Sequence, residues 1–112
     1  MKIKMSPNIA VRTAEPGKAY EFYSKVLGFP HRPENKTHTD FDADPLNLFV
    51  IEDNEISGPV MELFVEDLES ARETMIQSGC RVLRWKGKGQ DCYVQDPFGV
   101  IFNLWEVDGG SS

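Results

Sequence analysis

A chain of 112 residues with 40% hydrophobic and 27% charged side chains has the make-up of one ordinary globular domain, long enough to bury a core unaided. Its formal net charge of −6 and pI near 4.8 argue against nucleic acid or an anionic membrane surface as partner, and suit a neutral or cationic ligand. Cys80 and Cys92 lack metal-type spacing and read as small, reduced core residues.

The opening stretch, Met1-Lys2-Ile3-Lys4-Met5, lacks the apolar centre of a secretion signal, and no run approaches membrane-spanning length. A cytoplasmic location is the resulting expectation. Asn8 to Val11 reads as a short strand. From Pro16, which suits a first helical position, the period changes. Ala19, Phe22, Tyr23, Val26 and Leu27 then define one face of an amphipathic helix, and Gly28 stops it. Phe29 to Asp42 is polar and predicts two short strands around a Pro33-Glu34-Asn35 turn. Leu46 to Ile51 is a strong strand.

Ile56-Ser57-Gly58-Pro59 is the internal boundary, and after it the order of elements repeats. Val60 to Val65 is a strand, Asp67 is an N-cap, and Leu68, Ala71, Met75 and Ile76 supply the apolar face of a second helix ending at Gly79. Strands follow at about Arg81 to Trp85, Asp91 to Gln95 and Val100 to Val107. Gly87-Lys88-Gly89 turns between the first two, and Asp96-Pro97-Phe98-Gly99 between the last two. An offset of 52 residues pairs Asn8 with Val60, Glu15 with Asp67, Ala19 with Ala71 and Glu21 with Glu73. A duplicated strand-helix-three-strand unit accounts for this. The two modules span about 6–54 and 58–107 of a single domain over 1–108, and 109–112 reads as a disordered tail.

Three segments carry a family resemblance. Phe22-Tyr23-Ser24-Lys25-Val26-Leu27-Gly28-Phe29 resembles the "FYxxVLGF" segment of the glyoxalase, bleomycin-resistance and extradiol-dioxygenase superfamily, the vicinal oxygen chelate proteins. Asp96 to Glu106 is similar to that family's "DPxGxxxELxE" ending, and Val65 to Ala71 to the strand-to-helix junction of its second module. The resemblance implies an α+β fold of two βαβββ modules, whose eight strands form a curled mixed sheet around a cleft with helices outside. Family members of two modules usually pair, so a homodimer is expected.

Strand alternation sorts the side chains into two faces. Ile9, Val11, Leu48, Val50, Met61, Leu63, Val65, Phe102 and Leu104 take the helix-facing side. The opposite parity collects Asn8, Ala10, Asn47, Phe49, Val60, Glu62, Phe64, Asn103 and Trp105. In metal-dependent relatives the ligands are typically histidine, glutamate or glutamine from the first and last strand of each module. The resemblance carries those positions onto Asn8, Asn47, Val60 and Asn103, where no imidazole or carboxylate stands. The expectation is therefore no metal and no other cofactor.

Asn8, Asn47, Phe49, Glu62, Phe64, Tyr93, Asn103 and Trp105 are the candidate ligand-binding residues, with Trp85 as a further candidate for an aromatic lining. For Glu62 the structural alternative is a salt bridge with Arg12, Arg81 or Arg84. His38, Asp40 and Asp42 would share one strand face, read as a solvated edge strand ahead of a small metal site. Glu106 is expected at a strand end in solvent. No nucleophile-and-base arrangement and no phosphate loop is visible.

The sequence thus points to a cofactor-free protein of the bleomycin-resistance type that holds an aromatic or cationic small molecule in the sheet cleft. Two alternatives stay open. One is a lyase, isomerase or dioxygenase-like enzyme with relocated metal ligands or Glu62 as base, and the other is a structural or regulatory dimer with a vestigial cleft.

Overall fold

The computed structural model describes residues 2–32 and 39–107, and its elements follow the duplicated order expected of an α+β protein of two βαβββ modules. The Pro33-Glu34-Asn35 turn, His38 and the segment 109–112 lie outside the described residues. Contacts divide the chain into two compact units, Pro7–Val60 and Met61 onward, the latter joined by the N-terminal residues through Ser6. No helix among the described residues is long and apolar enough to cross a membrane.

In the first unit, strand β1 (Ile3–Thr13) is longer than the Asn8-to-Val11 stretch predicted, because its residues on either side are also extended. It pairs in parallel with β4 (Leu46–Glu52). That strand runs antiparallel to β3 (Thr39–Ala43), which in turn pairs with β2 (His31–Arg32), in the order β2-β3-β4-β1. Asp40 and Asp42 therefore sit on an interior strand with a neighbour on each side, and the expected solvated edge is β2 instead.

The first helix starts at Pro16 as expected, but α1 covers only Pro16–Glu21 and passes into one π turn, Phe22–Val26. There the Leu27 N–H reaches the carbonyl of Phe22 at 3.1 Å. A π turn advances less angle per residue than an α turn, so an apolar stripe spaced for an α-helix rotates off the core. Ala19 and Tyr23 pack with Tyr20 and Phe29 on Phe41, Leu48 and Val50. Phe22, Val26 and Leu27, predicted to face the core, are exposed instead.

In the second unit the elements are β5 (Gly58–Val65), which starts before the division, α2 (Leu68–Gln77), β6 (Arg81–Trp85), β7 (Cys92–Gln95) and β8 (Ile101–Glu106). The strand order is β5-β8-β7-β6. Asp67 caps α2, its carboxylate accepting the Ser70 N–H at 2.9 Å. Leu63, Val65, Leu68, Ala71, Cys92, Val94 and Leu104 form the core, with Met75, Val82, Trp85 and Phe102 packed around it. Ile76, assigned to the apolar face, is 46% exposed near the helix end. Gly79 takes a φ of +101°, and a Cβ there would meet Pro97 Cγ at 3.3 Å, so glycine serves both the helix stop and the close approach.

Candidate functional site

In each unit, one sheet face packs on its helix and the other carries most of the singled-out polar residues. In the first, Leu48, Val50, Ile9 and Val11 face the helix as the alternation predicts. The opposite face holds a row across three strands, Asp42 beside Asn47 and Asn47 beside Asn8. The Asn47 Nδ2 donates to Asn8 Oδ1 at 3.0 Å. Phe49 lies in the adjacent row, between Asp40 and Ala10, and is half-buried. His31 has the other parity and packs by ring contacts on Tyr20 and Phe41.

In the second unit, Leu63, Val65, Cys92, Val94 and Leu104 take the helix side, so Glu62, Phe64, Tyr93, Asn103 and Trp105 fall on the opposite face. Tyr93 is opposite Asn103 on β8 and opposite Arg84 on β6, giving a second row of three. The Arg84 guanidinium lies 5.4 Å from the centre of the Tyr93 ring and is held by Asp91 at 3.1 Å. Tyr93 is 2% exposed, whereas Trp105 is 38% exposed. Asn103 Oδ1 accepts the backbone N–H of Cys92 at 2.9 Å, just where β7 begins. Glu62 and Phe64 are half-buried, and Val60 is buried.

Trp85 is not part of that face. The β6–β7 register shifts between Val82 and Arg84, so Trp85 falls on the same side as Val82 and packs on the helix core under the Arg72 guanidinium, 4.9 Å from its ring. An extra residue in one strand reverses the parity beyond it, which strict alternation cannot foresee. The same shift brings Arg84 beside Tyr93, a placement sequence parity missed.

Of the arginines named with Glu62, Arg12 lies 3.8 Å from buried Asp53, Arg84 pairs with Asp91, and Arg81 donates to Gln95 at 2.6 Å. Both thiols are free. Burial pushes the Cys92 thiol above its ordinary pKa, and its Sγ donates to the Gly87 carbonyl at 3.1 Å.

A glyoxalase-like domain model matches residues 8–105. The chain belongs to the glyoxalase-like family. No curated protein sequence matches it. Among solved structures, it is similar to a glyoxalase/bleomycin resistance protein/dioxygenase superfamily member from Vibrio splendidus 12B01, at 16% identity and a TM-score of 0.59, covering 95% of this chain and 100% of that one. A protein of Bacillus halodurans C-125 is similar at 13% identity and a TM-score of 0.62, covering 100% and 99%. Homoprotocatechuate 2,3-dioxygenase from Brevibacterium fuscum, in complex with 3,4-dihydroxyphenylacetate, is similar at 19% identity and a TM-score of 0.60 over 96% of this chain and 37% of that one. Family membership supports a fold that binds small molecules.

The metal implied by the wider superfamily does not fit these residues. Val60 has no donor atom, and an asparagine can offer a metal only its weak Oδ1. Asn8 Oδ1 already accepts from Asn47, and Asn103 Oδ1 from Cys92. Among the described residues, no three His, Cys, Asp or Glu side chains come together as a metal-holding group.

Proposed function

We propose that this protein binds a small aromatic or cationic molecule without a resident metal or other cofactor, using sheet faces turned away from its helices. Binding, rather than turnover, is the proposed activity. The observation that carries this reading is the use of the amide oxygens. At the four positions inherited from metal-binding relatives, one side chain is valine, and the carbonyls of Asn8 and Asn103 are engaged by N–H donors. Such groups suit orientation of an organic ligand by hydrogen bonds, beside the apolar surface of Phe49 in the first unit, or of Phe64 and Trp105 in the second. Acceptors for a cation come from Asp42 and Asn47 on the first unit's face and, on the second unit's, from Glu62, where Trp105 adds an aromatic face.

The proposal extends to a cytoplasmic homodimer that engages neither nucleic acid nor membrane. A net charge of −6 supports the last two points, and strands β2 and β6, each ending its unit's strand order, offer edges for pairing. Elemental analysis of the purified protein tests the central point, together with melting in the presence and absence of EDTA. The expected result is no stoichiometric divalent ion and an unchanged melting temperature. One tightly held zinc, nickel, manganese or iron per chain would overturn the reading.

A further inference from the structure

Asn103 is a polar residue on the second unit's helix-averse face whose orientation a backbone group dictates. The Cys92 N–H can only donate, so the atom 2.9 Å from it must be the carbonyl oxygen of the amide, and the two amide ends cannot be exchanged. This is the one hydrogen bond that the Asn103 side chain makes among the described residues, so its NH2 group keeps its donor capacity. The side chain is half-buried on the face it shares with Tyr93, with Arg84 over the Tyr93 ring on the far side of the row. The Asn103 NH2 and the Arg84 guanidinium, on opposite sides of Tyr93 in that row, are both donors. A ligand lying there gains most by presenting an oxygen acceptor, and a partly desolvated donor left without one is penalised.

We infer that Asn103 is a fixed hydrogen-bond donor that selects, among small aromatic ligands, those carrying an oxygen acceptor. The inference rests on the binding reading above and narrows it. Asn103 sets specificity here by donation, the opposite of the electron-pair role a carboxylate would have at that position.

The test uses a matched pair of probes, phenyltrimethylammonium and its 4-acetyl analogue, titrated into the isotopically labelled full chain with EDTA present. The side-chain NH2 signals of Asn103 are followed by NMR alongside the Trp105 indole signal. The expected result is that both probes move the Trp105 signal, only the acetyl compound moves the Asn103 NH2 signals, and it binds about tenfold more tightly. Asn103→Asp keeps an oxygen for the Cys92 N–H and removes the donor. It should melt as the wild type does and bring the affinity ratio of the two probes to about one. If the probes bind equally to the wild type and the Asn103 NH2 signals stay still while Trp105 responds, the donor role is overturned and the binding reading stands. An affinity ratio that survives Asn103→Asp overturns the donor role equally. If neither probe moves any signal of the face, the binding reading falls and takes this inference with it.

Discussion

Glu106 Oε2 accepts the backbone N–H of Leu68 at 2.8 Å, tying the last residue of β8 to the first turn of α2. Its other oxygen meets Lys88 Nζ, from the β6–β7 turn, at 2.9 Å. The expected solvent-facing strand end is instead a junction of three elements. With Asp67 on the Ser70 N–H, two carboxylates satisfy donors that a helix leaves open at its start, where the helix dipole also favours negative charge.

The junction predicts a pH dependence. The Leu68 N–H first, and then Lys88, hold the Glu106 carboxyl below its ordinary pKa. A depressed folded pKa stabilises the native state above the unfolded value of about 4.3, and that contribution is lost as pH falls through the folded value. Glu106→Gln keeps an acceptor for Leu68 but cannot ionise. Its melting temperature should lie below the wild type's at neutral pH, and the gap should close in acid. A gap of constant size from neutral to strongly acidic pH would rule out the ionised cap as its source.

Trp85 and Trp105 should separate stability from binding. Trp85→Ala strips a side chain packed against the second unit's core and the Arg72 guanidinium, at a cost of about 3 kcal/mol, the lower end for aromatic truncation in a core. Urea denaturation measures that loss, and ligand-induced thermal shifts should be unchanged relative to the variant's own baseline. A Trp85→Ala protein that is fully stable but no longer binds would return Trp85 to the proposed binding face.

Asp53 anchors the end of the first unit. It pairs with Arg12 at 3.8 Å, both side chains being buried, and its Oδ1 accepts from the backbone of Glu55 and Ile56 at 2.8 and 2.9 Å. Asp53→Ala removes the charge and the oxygen that accepts both turn hydrogen bonds, and should cost about 3–5 kcal/mol, as breaking a buried ion pair does. Asp53→Asn retains an acceptor for the turn and should fall between that variant and the wild type. Equal stabilities of the two variants in urea would mean that the turn hydrogen bonds contribute nothing.

The sheet faces were readable from sequence because a period of two is set by backbone geometry and holds wherever a strand is regular. Leu48, Val50, Leu63, Val65 and Leu104 therefore fell on the helix side as expected. The errors lie where a regular period, of helix or of strand, breaks. The π turn after Glu21 turned Phe22, Val26 and Leu27 outward, and the irregularity between Val82 and Arg84 moved Trp85 to the core and Arg84 to the face opposite it. Neither departure has a local residue signature as plain as the glycine at a helix stop. Asn103 stood out as a polar residue in an apolar strand. That its oxygen serves the Cys92 N–H depends on where β7 begins, which pattern alone leaves uncertain by a residue or more. Cys92 itself, expected as a small core residue, is buried among Leu63, Val94 and Leu104.

Glu62 tests the acidic side of the proposed binding face. It lies on β5, opposite in parity to the buried Leu63 and Val65, with Phe64 two residues on. Glu62→Gln preserves shape and hydrogen-bonding capacity while removing the charge. A cationic ligand that contacts it loses a charge-assisted hydrogen bond, on the order of 1.5–3 kcal/mol or roughly ten- to a hundredfold in affinity, and a neutral one loses far less. Trp105→Ala should weaken both classes by removing apolar and aromatic contact. Thermal shifts with a panel of cationic and neutral aromatic compounds, on the wild type and both variants, give the comparison. If Glu62 serves the fold alone, its substitution by glutamine lowers the melting temperature of the free protein and leaves every ligand-induced shift intact. That pattern would remove Glu62 from the binding face and leave Asp42, on the other unit, as the acid to test next.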